Sequence, residues 1–202
     1  MVAPIHYRNF KLTELSVQKS PNKQITYDIL YKGNPLVISS SKVKILEDHD
    51  GYLDIELPKD RKKMYDVFHG LDKYIILFAT QNSEVLFNKK LSKVEIEERY
   101  KKTIQVEYPG EPGYIRVKVP SEVKIFDKSG RSVNKKVDDV VEKDDEIWVN
   151  LKIHSLRLSL GTIKCNWCIE QIQLNKIVSD CTIRHDSESE SEDEQSEDER
   201  SE

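Results

Sequence analysis

Apolar side chains alternate with polar ones along most of this chain, and this period of two restricts the possible folds most strongly. Alternation that places branched and aromatic residues at the apolar positions predicts strands with one buried face. The strands are expected at FKLTELSV (10–17), QITYDILY (24–31), PLVI (35–38), KVKIL (42–46), YLDIEL (52–57), TIQVEY (103–108), GYIRVKV (113–119), EVKIF (122–126), EIWVNLKI (146–153) and TIKCNWCIEQIQL (162–174). NKIVSDCTIR (175–184) is either one more edge strand or an ordered linker. The fold class is therefore expected to be mostly β.

The period changes between residues 60 and 87, where apolar residues such as Met64, Phe68 and Leu71 recur at helical spacing. We predict one or two helices there, with an interruption at Gly70. A short helix should follow over residues 92–102, with Ser92 as its N-cap. These helices form a predicted insertion over about residues 59–102.

The last seventeen residues, DSESESEDEQSEDERSE (186–202), contain ten acids and one base. The whole chain has 32 bases and 36 acids, so residues 1–185 keep 31 bases and 26 acids, a net charge of +5. Residues 186–202 lack aromatic and branched side chains, which predicts a disordered tail. We therefore expect one domain over 1–185, joined to an acidic tail. A basic domain with an acidic tail favours nucleic acid or another polyion as partner.

The remaining composition gives few signs of other functions. No apolar run approaches the ~20 residues of a membrane helix, and the N-terminal residues lack a signal-peptide pattern. Three cysteines in a chain of this length indicate reduced thiols, so a cytosolic or nuclear protein is expected. No catalytic motif is recognisable, and the acidic run 138–146 is interpreted as a solvated loop. We expect a protein without enzymatic activity.

Aromatic and basic residues share the polar face of three predicted strands. An unpaired nucleic-acid strand requires this combination, because cations neutralise phosphates while rings stack on bases. The alternative interpretation, without a binding function, is that this face is solvated or is covered by the helices. The candidate contacts on these strands and the following segment are Tyr114, Arg116, Lys118, Lys124, Phe126, Trp148, Lys152 and Arg157. A second basic cluster near the helices adds Lys89, Lys90, Lys101 and Lys102.

The acidic tail can compete with nucleic acid for such a basic surface, because tethering gives it a high effective concentration. Its serines are each followed by an acid, which suits an acidophilic kinase. The phosphorylation candidates are Ser187, Ser189, Ser191 and Ser196. Two alternatives remain open: a β-rich acidic histone chaperone, in which the tail is the active part, and a protein-interaction or virion structural protein.

In the order of these features, residues 10–174 resemble the OB-fold single-stranded DNA-binding proteins of nucleocytoplasmic large DNA viruses and DNA phages. The similarity is carried by YKGNPLVISSSKVKI, LDKYIILFATQNSEVLFNKKLSKVEIEERYKKTI, YIRVKVP, VKIFDKSGRSV and DDEIWVNLKIHSLRLSLGTIKCNWCIEQIQL. The resemblance implies a five-stranded Greek-key barrel with additional N-terminal strands, which binds single strands across an open face.

The same resemblance implies a role in viral DNA replication, repair or recombination, in the host cytoplasm or nucleus. It also implies a tail that recruits replication proteins such as a polymerase or helicase. No cofactor is expected, because the chain has no motif for binding one, and a homo-oligomer is left open. Phage tails of this kind usually end on an aromatic residue, whereas this chain ends Arg-Ser-Glu. Any recruitment here would therefore depend on charge.

Cys165, Cys168, Cys181 and His185 have spacing that is compatible with a zinc site. The alternation of TIKCNWCIEQIQL argues against one, because it places Cys165 and Cys168 on opposite faces of a strand. Core or surface cysteines are therefore the preferred interpretation, and structural zinc is the alternative.

Overall fold

The structure is a computed structural model that describes residues 3–21 and 26–178. Its thirteen strands in this part of the chain are β1 (Ile5–His6), β2 (Leu15–Lys19), β3 (Thr26–Tyr31), β4 (Asn34–Pro35), β5 (Val37–Ser39), β6 (Val43–His49), β7 (Tyr52–Glu56), β8 (Tyr100–Lys101), β9 (Tyr114–Lys118), β10 (Lys124–Phe126), β11 (Ser132–Val133), β12 (Glu146–Leu158) and β13 (Ile163–Leu174). The helices are α1 (Lys62–Gln81), α2 (Ser83–Phe87) and α3 (Lys93–Arg99), with short 3₁₀ turns at Tyr7–Asn9, Leu12–Glu14 and Val137–Asp139. The mostly β prediction is confirmed.

Five strands close into a barrel in the order β6, β7, β9, β13, β12 and back to β6. The contact between β9 and β13 is parallel, and the other four contacts in the barrel are antiparallel. In chain order this is strand order 1-2-3-5-4-1, the connectivity of an OB-fold-like Greek-key barrel. The predicted barrel is therefore confirmed.

Alternation explains why these strands form a barrel. Ile115, Val117, Ile147 and Val149 are almost completely buried and point inward, whereas their neighbours in the sequence point outward. Leu156 is also fully buried, because β12 continues beyond the predicted end at 153 and a bulge between Ile153 and Ser155 turns the even positions inward from there. Each inward side chain buries apolar area that stabilises the barrel by roughly 1.5–3 kcal/mol.

The N-terminal strands extend this barrel on one side. Strand β3 pairs with β2 and β4 and with the distal end of β12, while β1 pairs in parallel with β5. Of the predicted strand 10–17, only Leu15 and the residues after it are extended, because Leu12–Glu14 form a 3₁₀ turn. Strand β10 lies beside β13 and carries the short β11 at its other edge.

The helices lie between β7 and β9 and cover one end of the barrel. Phe68 of α1 meets Trp167 of β13 edge to face, with ring centroids 5.4 Å apart. Helix α1 runs without interruption through Gly70, so the predicted break there is wrong. A Cβ at Gly70 would lie 2.9 Å from Leu12 Cδ1, the end of a flexible and exposed side chain that can move aside, so packing does not require glycine at this position. Ser92 caps α3 in a capping box with Glu95, as the sequence predicts.

The strand predicted at 103–108 is wrong. Asp72 of α1 is buried and accepts hydrogen bonds from the Thr103 N–H (3.0 Å), the Thr103 hydroxyl (2.6 Å) and the Tyr100 hydroxyl (2.7 Å). These bonds tie the chain to the helix, so it leaves the sheet after β8. Of the predicted strand, the described residues retain one isolated bridge, between Gln105 and Tyr114.

Burial raises the pKa of Asp72 above its usual range, although its three hydrogen bonds act in the opposite direction. Residues 175–178 of the possible last strand are not part of any strand, and the rest of that segment lies outside the described residues. The acidic tail with Ser187, Ser189, Ser191 and Ser196 also lies outside them.

Candidate nucleic-acid interface

The outer surfaces of β12 and β13 are continuous, because the two strands pair along nearly their whole length. Residues directly opposite each other in neighbouring strands project from the same face. The register therefore determines which of the predicted side chains come together.

Outward side chains that lie opposite one another across neighbouring strands form rows. The first row lies near the turn that joins β12 to β13. Lys101 of β8 is opposite Lys164 of β13, and Lys164 is opposite Arg157 of β12. Lys101 and Arg157 are exposed, and Lys164 is half-buried. Three cations thus lie side by side across three strands.

The second row lies farther along β13. Lys118 of β9 is opposite Cys168 of β13, and Cys168 is opposite Lys152 of β12. Tyr52 of β7 is opposite Lys118 on its other side and is 43% exposed. Lys152 Nζ lies 3.9 Å from Glu170, so part of its charge is already compensated. This row adds an aromatic ring to the cations.

The last two rows combine cations, amides and rings. Lys124 of β10 is opposite Gln171 of β13, and two positions farther along Phe126 is opposite Gln173. Gln173 is in turn opposite Trp148 of β12. Trp148 is 36% exposed and Phe126 is half-buried, so both rings are accessible from the outside of the barrel.

We call the surface that these four rows form the basic face. Its charged and aromatic members are Tyr52, Lys101, Lys118, Lys124, Phe126, Trp148, Lys152, Arg157 and Lys164. From Lys164 to Gln173, β13 extends ~30 Å at about 3.3 Å per residue. A surface of this length can contact several nucleotides, because one OB fold covers about 4–16 of them.

A cleft of about 350 Å³ opens in the basic face between the first and second rows. Lys101, Lys118 and Lys164 line it, together with Lys102 and His154. Lys102 is exposed beside Lys101, so this predicted contact also joins the basic face. Cations on several walls of one cleft concentrate positive potential within it.

Arg116 also lines the cleft, but its charge is paired. Its guanidinium donates to both carboxylate oxygens of Asp54, at 2.8 Å to Oδ1 and 2.6 Å to Oδ2. The hydrogen bond to Asp54 raises the pKa of Arg116 above its usual range. The Asp54 side chain is almost fully buried, whereas the Arg116 side chain is half-exposed. Arg116 therefore contributes less positive potential than its neighbours on the basic face.

Tyr114 lies in a different environment from the one predicted. Its side chain points outward, as the alternation requires, and its hydroxyl donates to Gln105 Oε1 at 3.2 Å. It lines a separate cleft with several carboxylates, among them Glu56 and Glu107. Carboxylates repel phosphates, so the structure does not group Tyr114 with the basic face.

Lys89 and Lys90 are also separate from the basic face. Both are exposed in the connection between α2 and α3, and Lys89 Nζ lies 3.9 Å from Glu95 Oε1. Their charges belong to the helical insertion, and neither residue has a strand partner in the four rows.

Cys165 and Cys168 are on opposite faces of β13, as the alternation predicts. Cys165 is opposite the buried Leu156, whereas Cys168 lies between Lys118 and Lys152 on the outside. Burial raises the pKa of both thiols. Cys181 and His185 lie outside the described residues, and residues 3–21 and 26–178 contain no cluster suited to a metal ion. Within the described chain, thiols on opposite faces do not converge on one zinc ion.

Tyr52 and Lys164 are members of the basic face that the sequence reasoning missed. Both occupy outward positions of strands that were predicted, so the alternation alone was sufficient to place them outside. Their proximity to Lys118 and Lys101 depends on pairing between distant segments, which the local pattern does not contain.

The barrel and the basic face together define an OB-fold-like protein with a cationic, aromatic outer surface. In a comparison with solved structures, gp2.5, a single-stranded DNA-binding protein of bacteriophage T7, superposes with a TM-score of 0.50 and 12% identity. The match covers 71% of this chain and 93% of gp2.5. At this identity the likeness shows the fold alone.

The single-stranded DNA-binding protein of bacteriophage Enc34 was also found. Its C-terminally truncated form has a TM-score of 0.49 and 12% identity, with 83% of this chain and 98% of that chain covered. The form in complex with single-stranded DNA has a TM-score of 0.46 and 13% identity, with 82% and 97% covered. No protein-family model and no curated protein matches the sequence.

No helix within residues 3–21 and 26–178 is both long enough and apolar enough to cross a membrane.

Proposed function

We propose that this protein binds single-stranded DNA without reading its sequence, in viral DNA replication, repair or recombination. The observation that carries the proposal is the basic face, where rows of cations lead to Trp148 and Phe126 on one continuous surface. The OB-like barrel fits this role, and the neighbour gp2.5 is described as a single-stranded DNA-binding protein. We expect no enzymatic activity and no cofactor.

In the proposed mechanism, both charge and stacking contribute to the affinity for single-stranded DNA. Each lysine that contacts a phosphate releases counterions and makes the affinity depend on salt, with a slope of about 0.7 per contact for single strands. Trp148, Phe126 and Tyr52 stack on bases at ~1–3 kcal/mol each. Stacking requires unpaired bases, so the same surface should bind duplex DNA more weakly.

Lack of sequence preference follows from the chemistry of these contacts. Every base has a π face on which a ring can stack, and every nucleotide has the same phosphate. We therefore expect similar affinities for different single-stranded sequences of equal length, apart from differences in stacking strength.

Charge on the tail supports a regulatory role for residues 186–202. We propose that the tail competes with DNA for the basic face and, once displaced, recruits replication proteins such as a polymerase or helicase. Phosphorylation at Ser187, Ser189, Ser191 or Ser196 would increase its negative charge. The expected location is the site of viral replication in the host cytoplasm or nucleus.

The proposed interface can be tested by charge reversal with fluorescence-anisotropy titrations of oligo-dT and duplex DNA. K118E/K164E alters two cations of the basic face, and K89E/K90E makes the same change of charge on the helical insertion. Loss of two phosphate contacts lowers affinity at 0.1 M salt by about 25-fold or more. K89E/K90E should bind oligo-dT nearly as the unaltered protein does. Equal losses in the two variants would contradict the proposed interface.

The tail is tested by removing residues 186–202. Under the proposed competition, the truncated chain binds oligo-dT more tightly, and the gain is larger at low salt because the tail acts by charge. The histone-chaperone alternative predicts instead that the same truncation abolishes histone binding. Unchanged DNA affinity at low salt would refute the competition.

A further inference from the structure

Three lysines surround the Trp148 end of the basic face, and no part of the proposed interface uses them. Lys42 Nζ lies 5.7 Å from the centroid of the Trp148 ring. Lys44 follows two positions later on the same outer side of β6, because Val43 and Ile45 are buried. Lys176 comes just after β13 ends.

The register places Lys42 in the same row as Trp148, Gln173 and Phe126. Lys44 is opposite Glu146 and Val43 is opposite Ile147, so Lys42 comes opposite Trp148 one position beyond the last paired residues. Trp148 is opposite Gln173 on its other side, and Phe126 follows. An ammonium group, an indole, an amide and a phenyl ring therefore lie across four neighbouring strands.

Each of the three lysines is held by a carboxylate of one short acidic segment, residues 144–146. Lys44 Nζ lies 2.7 Å from Asp144 Oδ1, and its hydrogen bond lowers the pKa of that carboxyl. The other two ion pairs are as close: Lys42 with Glu146 at 2.5 Å and Lys176 with Asp145 at 2.8 Å.

These ion pairs are suited to exchange. The side chains of the three lysines are 36–43% exposed, and ion pairs with this degree of exposure contribute little to stability. A phosphate has the same charge sign as a carboxylate and several acceptor oxygens, so it can replace the carboxylate without leaving the ammonium unpaired.

We propose that Trp148, Lys42, Lys44 and Lys176 form a nucleotide subsite of single-stranded DNA, which the carboxylates of Asp144, Asp145 and Glu146 occupy until phosphates displace them. The base stacks on Trp148, and the lysines bind the flanking phosphates. The subsite rests on the proposed function and extends the DNA path beyond the four rows.

Two triple variants test the subsite with the full-length chain and oligo-dT, by anisotropy. K42Q/K44Q/K176Q should weaken binding by about fivefold for each lysine that contacts a phosphate at 0.1 M salt. D144N/D145N/E146Q should tighten binding, because the competing carboxylates are removed while the lysines remain. Opposite effects of the two variants are the expected result.

Matched controls separate local from general charge effects. K89Q/K90Q/K93Q and E84Q/E97Q/E98Q make the same changes of charge on the helical insertion. If each subsite variant binds like its control, the subsite is refuted, while the proposed function stands as long as the unaltered protein prefers oligo-dT to duplex. If the unaltered protein does not bind oligo-dT, the proposed function fails and the subsite fails with it. Thermal unfolding confirms beforehand that the variants are folded.

Discussion

Removal of the Trp148 ring should weaken binding to oligo-dT by a predictable amount. Trp148 is 36% exposed on the outside of the barrel, and the ammonium of Lys42 lies 5.7 Å from its ring centroid. One base stacked on an aromatic side chain is worth ~1–3 kcal/mol, so W148A should lower the affinity by about 5- to 150-fold. W148F retains a smaller ring, so its affinity should lie between those of W148A and the unaltered protein.

Intrinsic fluorescence measures the same contact independently. The chain has two tryptophans, and the second, Trp167, is 4% exposed and packed against Phe68. Stacking of a base should therefore quench Trp148 and leave Trp167 nearly unchanged. A W167F variant retains the quench on addition of oligo-dT, whereas W148A loses it. The reasoning is refuted if W148A binds with unaltered affinity or if its fluorescence still responds to DNA.

Three further predictions concern the parts of the barrel that position the basic face. R116A leaves the buried carboxylate of Asp54 without its bidentate partner and should reduce the free energy of unfolding by ~1–3 kcal/mol in urea titrations at pH 7; an unchanged midpoint would show that the pair is dispensable. Burial raises the pKa of Asp72, so its contribution to stability is present below pH 3.8 and is lost as pH rises through the folded pKa; D72N should flatten this part of the stability-pH profile, and an identical profile would contradict it. In G113A the new Cβ would lie 2.5 Å from Ile104 Cγ2, so the thermal unfolding midpoint should fall. A midpoint equal to that of the unaltered protein would mean that the loop adjusts freely.

The alternation of the sequence was sufficient to predict which residues point out of the barrel. The side-chain period of a strand is a local property, so Lys118, Lys152 and Trp148 were placed outside correctly. The rows themselves were not predictable in this way. Lys101 and Lys164 are opposite each other only because β8 pairs with β13, and no local pattern specifies such a long-range register.

Tertiary contacts explain the two clearest differences from the sequence-based expectations. Segment 103–108 has the alternation of a strand, but the hydrogen bonds of Thr103 to Asp72 hold it against α1. Tyr114 points outward as expected, and yet its surroundings are set by Glu56 and Glu107, which come from other parts of the chain. Charge near a side chain depends on these neighbours, so the strand pattern alone does not determine what it binds.

Photo-crosslinking of oligo-dT to the full-length protein, followed by identification of the crosslinked peptides, tests the central claim most directly. Attachment at Trp148, Phe126 and Tyr52, with contacts along β9, β12 and β13, is the expected result. Attachment mainly within α1, α2 and α3, with the barrel strands unmodified, would contradict binding across the basic face.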